Sequence, residues 1–231
     1  MSDLFYGNSL NYMREKMSDN SVDLIVTDPP YEVTEEHYGG KMYETKKMDI
    51  SRTKLTDANI TDGYDIKEFG KEFLRVMKTP NIYIWCNKKQ IPMYFDYYVN
   101  EEKCLFEILC WHKTNALPTF SNKYLTDTEY CLYFHKGEGK TFPQTYEEAR
   151  TYFLEPINQK DKEYNHPTIK PLKIIELMVK NSSRVNEVVF DPFMGSGTTG
   201  VACNHLGREF IGCEINKEFY DISVQRIELD F

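Results

Sequence analysis

The sequence lacks several things at once, and each shortage closes off a class. No apolar run approaches the roughly 18 residues that a bilayer crossing needs. The opening MSDLFYGNSL has neither the basic stretch nor the apolar run of a secretion signal, so a cytoplasmic protein with no membrane partner is expected. None of the six cysteines, Cys86, Cys104, Cys110, Cys131, Cys203 and Cys213, forms a CxxC pair. Each lies among apolar or aromatic neighbours, which indicates buried free thiols rather than disulfides or a metal site. The five histidines, His37, His112, His135, His166 and His205, are scattered without ligand spacing, so no metal centre is expected. Basic charge is also in deficit: the net charge of −8 argues against coating nucleic acid through bulk charge, while leaving room for a local basic groove. Repeats and low-complexity tracts are absent from the sequence.

What remains is the composition of an ordinary globule: 231 residues, 41% hydrophobic, 28% charged and 14% aromatic, consistent with a single domain over 1–231. Short β-branched and aromatic runs predict strands at 22–27, 81–86, 105–111, 129–135, 187–190 and 209–213. Amphipathic stretches between them predict helices near 66–77, 92–99, 171–181, 198–206 and 217–229. Such alternation means an α/β fold with a largely parallel sheet. The pair 105–111 and 129–135 flanks a stretch without helical pattern, which predicts antiparallel pairing at one sheet edge. Residues 32–64 and 136–168 fit neither period and predict long loops, a feature that in compact domains tends to be functional or mobile.

Residues 187–200, EVVFDPFMGSGTTG, predict a strand, an Asp-Pro step and a glycine turn entering a helix. Gly195, Gly197 and Gly200 satisfy G-x-G-x-x-G, and Glu214 follows nineteen residues after Gly195 at the end of the next strand. Glycines allow close approach of backbone to ligand, and an acid at the neighbouring strand tip can hold ribose hydroxyls, so the motif marks an adenosine-type cofactor. Only 36 residues follow Gly195, too few for the further βα units of a dinucleotide fold that begins at its fingerprint. The other strands must come from upstream, and the sheet is circularly permuted. Asp191 would oppose a pyrophosphate and suits a cofactor carrying a sulfonium and an ammonium group.

Asp28, Pro29, Pro30 and Tyr31 end the strand at 22–27. The prolines fix φ and donate nothing, so the backbone presents carbonyls stiffly at the sheet's carboxyl edge. An acid and an adjacent carbonyl held there can accept both hydrogens of an exocyclic amine, with an aromatic ring stacking on the base that carries it.

TDPPY at 27–31 followed by DPFMGSGTT at 191–199, with HPTIKP at 166–171 between them, resembles the β-class amino DNA methyltransferases. The resemblance implies a Rossmann-like fold with a mostly parallel seven-stranded sheet and one antiparallel edge strand. It implies S-adenosylmethionine as cofactor, double-stranded DNA as substrate, and the setting of restriction-modification. The target-base site would comprise Asp28, Pro29, Pro30 and Tyr31. The cofactor would be held by Asp191, Pro192, Phe193, Gly195, Ser196, Gly197 and Thr198, with Glu214 on its ribose and His166, Thr168 and Lys170 near its methionine end. Asn8 stands where family members usually carry Asp, which removes the basis for an N-terminal cofactor contact. Residues 136–165 form a short candidate recognition segment and 32–64 a mobile target-side loop, so base readout would be shared with that loop or with a second subunit in a homodimer.

The reaction so implied is direct transfer of methyl to an exocyclic nitrogen of a flipped base. Attack through a pyrimidine ring carbon would need a thiolate, commonly in a Pro-Cys pair, and none of the prolines precedes a cysteine. Asp, where cytosine-N4 members tend to have Ser, points to N6 of adenine. The alternatives are N4 of cytosine, an NAD-dependent oxidoreductase and a catalytically silent nucleic-acid-binding module.

Overall fold

The computed structural model describes residues 2–30, 64–116, 124–137, 141–157 and 169–229. Eight strands form one sheet: β1 (Ser2–Tyr6), β2 (Leu24–Thr27), β3 (Asn81–Cys86), β4 (Leu105–Lys113), β5 (Thr128–His135), β6 (Tyr152–Glu155), β7 (Val188–Asp191) and β8 (Glu209–Glu214), in the order β1-β8-β7-β2-β3-β5-β4-β6. Helices α1 (Ser9–Lys16), α2 (Ile66–Val76) and α3 (Ile91–Phe95) cover one face, and α4 (Leu172–Ser182), α5 (Thr198–Leu206) and α6 (Lys217–Leu229) the other. Every residue of β2 and β3 is buried, because these central strands lie between both helical layers and have no solvent face.

The Rossmann-like, mostly parallel architecture is as expected, with two corrections. The sheet has eight strands rather than seven, and its antiparallel strand is not at the edge. β5 runs antiparallel to both β3 and β4, and β6 then pairs parallel with β4 to form the outer edge. β6 escapes the sequence pattern because Tyr-Phe-Leu-Glu is too short and too exposed to show a period. It belongs to the candidate recognition segment 136–165, whose residues 152–155 thus join the sheet. At the opposite edge, β1 pairs parallel with β8. The expected loop at 32–64 lies outside the described residues except for Tyr64.

Local signals account for the helix ends. Asn8 Oδ1 accepts the Asn11 amide at 3.1 Å and caps α1, while Asp65 Oδ1 accepts the Glu68 amide at 2.7 Å and caps α2. Helix α5 is capped by Gly197 before its start and by Gly207 after its end, with φ of 83° and 69°, left-handed values that favour glycine. Helix α3 widens into a π turn over Asp96–Glu101, which lodges Tyr97 and Tyr98 in the core beside Tyr94. The cysteine thiols are free, all buried except the half-buried Cys110. None of the described helices is long and apolar enough to cross a membrane.

The order of the sheet decides where a ligand can bind. β2 leads outward to β3, whereas β7, its other neighbour, leads the opposite way to β8. Such a switch point opens a crevice at the carboxyl ends of its two strands. Those ends are Thr27-Asp28 on β2 and Asp191 on β7.

Candidate active site at the carboxyl rim

The two sequence motifs meet at the switch point. Leu24 and Ile25 of β2 pair with Val189 and Phe190 of β7. At the strand ends, Thr27 Oγ1 donates to Asp191 Oδ1 at 3.0 Å across 164 residues of chain. Asp191 is 4% exposed and also accepts from the Phe193 amide at 3.1 Å and from Thr199 Oγ1 at 2.7 Å. Burial nonetheless pushes its carboxyl up to about 7, against those three donors, and the charge of Asp28 adds to the rise. A cationic group arriving here would meet an acid with a strong electrostatic reason to pair.

The glycine loop is fixed from three directions. Gly195 has φ of 50°, and its amide donates to Glu214 Oε2 at 2.9 Å. Glu214 Oε1 accepts the Asn216 amide at 2.8 Å, so the carboxylate at the tip of β8 is held in one orientation. Burial raises its carboxyl, and the amides of Asn216, Gly195 and Ile215 counter that rise. Arg226, from α6, donates to the Ser196 carbonyl and to Ser196 Oγ, each at 2.8 Å, and lies 3.4 Å from Thr198 Oγ1. Sequence reasoning missed Arg226, since nothing in the spacing of α6 marks one arginine as facing a loop some thirty residues away. Gly197 and Gly200 serve packing: a Cβ on Gly197 would lie 2.9 Å from Ser223 Cβ, and one on Gly200 would lie 2.4 Å from Ile227 Cδ1.

At the end of β2, Asp28 stands half-buried, followed by buried Pro29 and half-buried Pro30. Tyr31, His166 and Thr168 lie outside the described residues. Lys170, expected near the cofactor's methionine end, places its ammonium on Asp28 Oδ2. It is 6% exposed, lies over the Trp85 ring at 5.3 Å, and sits 3.3 Å from Glu129 Oε2. Glu129 Oε1 pairs in turn with Lys113 Nζ at 2.6 Å. Burial opposes the charge on Lys170, but Asp28 and Glu129 outweigh it and hold the ammonium firmly protonated. Burial likewise opposes charge on Glu129, and Lys170 with Lys113 reverses that, keeping its carboxyl below the usual range. The sequence marks Glu129 only as a strand residue, because its partner Lys170 is distant in the chain.

The rim thus brings together Asp28, Pro29, Pro30, Lys170, Asp191 and the glycine loop, with Glu214 two residues beyond the β8 partner of Asp191. The residues suit a cofactor of adenosine type with positive charge: hydroxyl acceptors on a fixed carboxylate, a tight glycine turn with φ of 50° at Gly195, and a buried acid. A separate cavity of about 320 Å³ lies between the sheet and the segment at 141–151, lined by Tyr83, Tyr133, His135, Arg150 and Asn181 among others. None of the rim residues lines it.

Comparison with known proteins agrees with this geometry. The sequence pattern of the N6/N4 DNA methylases matches residues 22–225. The chain is 30% identical to the type II methyltransferase M2.LlaDCHI of Lactococcus lactis subsp. cremoris, covering 92% of this chain and 84% of that protein. It is 29% identical to M2.DpnII of Streptococcus pneumoniae, covering 93% and 85%. Among solved structures, M1.HpyAVI in complex with S-adenosylmethionine superposes with a TM-score of 0.67 at 23% identity, covering 98% of this chain and 99% of that one. The cytosine-N4-specific PvuII methyltransferase superposes with a TM-score of 0.74 at 16% identity, covering 97% and 86%.

Proposed function

Because the chain belongs to the N6/N4 DNA methylase family, we propose that it transfers a methyl group to the exocyclic N6 of adenine in double-stranded DNA. The methyl donor is S-adenosylmethionine, which when bound supplies a methyl group activated by a positive sulfur. The observation that carries the reading is the Thr27–Asp191 hydrogen bond. It ties the strand end bearing Asp28 to the strand end bearing the glycine loop, so that acceptor site and donor site share one crevice.

Each residue has a physical task in this reading. Asp28 accepts an N–H of the target amine, and the carbonyl of Pro29 accepts the other, drawing the nitrogen lone pair out of conjugation with the ring. The prolines keep both acceptors still, so that little reorganisation is needed when the base arrives. Asp191 meets the positive end of the cofactor, Glu214 takes its ribose hydroxyls, and the Phe193-to-Thr198 turn provides its bed. The resemblance assigns Tyr31 to the base and His166 and Thr168 to the methionine end, residues outside those described. An acid at the head of Pro-Pro-Tyr supports adenine over cytosine, and the permuted order of the motifs supports this family over an NAD-dependent oxidoreductase.

The test is transfer of labelled methyl to mixed unmethylated DNA, followed by nucleoside mass analysis. N6-methyladenine is expected. N4-methylcytosine would move the specificity to the other amine, and no labelled nucleoside on any DNA would leave a silent binding module.

A further inference from the structure

The charged cluster around Asp28 holds more than methyl transfer requires. On the reading above, Asp28 must accept a hydrogen from the incoming base, yet one of its oxygens is taken by the Lys170 ammonium. A carboxylate half-buried beside the buried Asp191 gains from a counter-charge while no base is present, and a carboxylate whose charge a lysine neutralises is a weaker acceptor for an amine. The conflict is resolved if the lysine has somewhere to go.

Glu129 provides the place. Its Oε1 is committed to Lys113 at 2.6 Å. Its Oε2 is buried and has no hydrogen-bond partner, although Lys170 Nζ lies only 3.3 Å away in a misaligned ion pair. A small swing of the ammonium would align a donor on that oxygen and strengthen a pair already in place. Trp85 forms the surface under that swing, with its ring 5.3 Å from Nζ.

We propose that Lys170 is a displaceable occupant of Asp28, and that Glu129, braced by Lys113, is the positioning residue that receives it when an exocyclic amine enters. This rests on Asp28 being the target acid. No proton changes hands: Lys170 remains an ammonium throughout, both carboxylates remain ionised, and the base contributes a neutral N–H. Access of the base is then governed by competition between two acids for one lysine.

Steady-state transfer of labelled methyl from S-adenosylmethionine to mixed unmethylated double-stranded DNA tests this with the full chain. Glu129→Gln removes the competing charge and should raise the KM for DNA about tenfold, with the KM for the cofactor moved less than about threefold. Adding Lys170→Met to that variant should bring the DNA KM back to within about threefold of wild type, because the ammonium then no longer competes with the base for Asp28. A purely structural lysine predicts the reverse, with the double variant no better than Glu129→Gln, and that result overturns the proposal. So does an equal rise in the cofactor KM. Should Glu129→Gln melt below the assay temperature, Lys170→Met alone decides: a lowered DNA KM supports displacement and a raised one overturns it. Failure of the underlying reading looks different, since Asp28→Ala would then transfer methyl as fast as wild type.

Discussion

At the β7–β8 end of the rim the backbone holds the site together, whereas at the β2–β3 end four charged side chains do. The glycine turn is gripped by Glu214 through amides and by Arg226 through a carbonyl, and Gly197 and Gly200 allow α6 to press against α5. Asp28, Lys170, Glu129 and Lys113 are instead joined by long-range ion pairs. A backbone cradle has one shape and suits a cofactor of fixed structure. Ion pairs can be exchanged for others of similar energy, which suits a site that must admit and release a base.

If the two ends are separable, breaking one should spare the other. The largest effect is expected from Asp28→Ala, which should lower methyl transfer by about 10³-fold or more while the cofactor Kd, measured by calorimetric titration, stays within about threefold. Loss of both together would mean that the ends act as one. Next, Gly200→Ala should destabilise the fold by about 1–3 kcal/mol in urea unfolding, because its Cβ would meet Ile227 Cδ1 at 2.4 Å and Phe210 Cε1 at 2.8 Å. Trimming the obstacle with Ile227→Val in the same chain should return part of that loss, which a general intolerance of substitution would not.

Arg226→Met should weaken cofactor binding by about tenfold through a looser turn and leave the DNA KM within about twofold. The smallest effect concerns pH. Asp191 is pushed up to about 7 from a free-chain value of 3.8. The folded protein therefore holds a proton there that the unfolded chain has already lost, and this group's contribution to stability falls as pH rises between those values. A cationic ligand favours the ionised form, so cofactor affinity should rise about fivefold from pH 6 to pH 8. Asp191→Asn should flatten that profile, whereas an unchanged slope would assign the titration elsewhere.

Much of this is legible in the chain, for reasons that differ by element. β3, α5 and α6 fall within the bounds expected for them, because their apolar periods are unbroken and α5 is bracketed by glycines. β1 and α1 were not foreseen. Ser2–Tyr6 is half-exposed and becomes a strand only by pairing with β8, and Ser9–Lys16 carries only two buried hydrophobic residues, Tyr12 and Met13. The placement of Asp28 beside the glycine loop followed from motif order. The placement of Lys170 did not, since HPTIKP is adjacent in sequence to the cofactor half while its lysine crosses 142 residues to Asp28.

The sequence by itself determined the fold class, the permuted order of the two motifs and the residues at the ends of β2 and β7, because each depends on spacing and backbone chemistry within a few residues. Only the tertiary structure decided that the sheet has eight strands with the antiparallel one inside, that Arg226 clamps the turn, and that Lys170 sits between two acids. Those are pairings between distant groups, chosen by which charges and donors the fold buries together, and no local pattern encodes that choice.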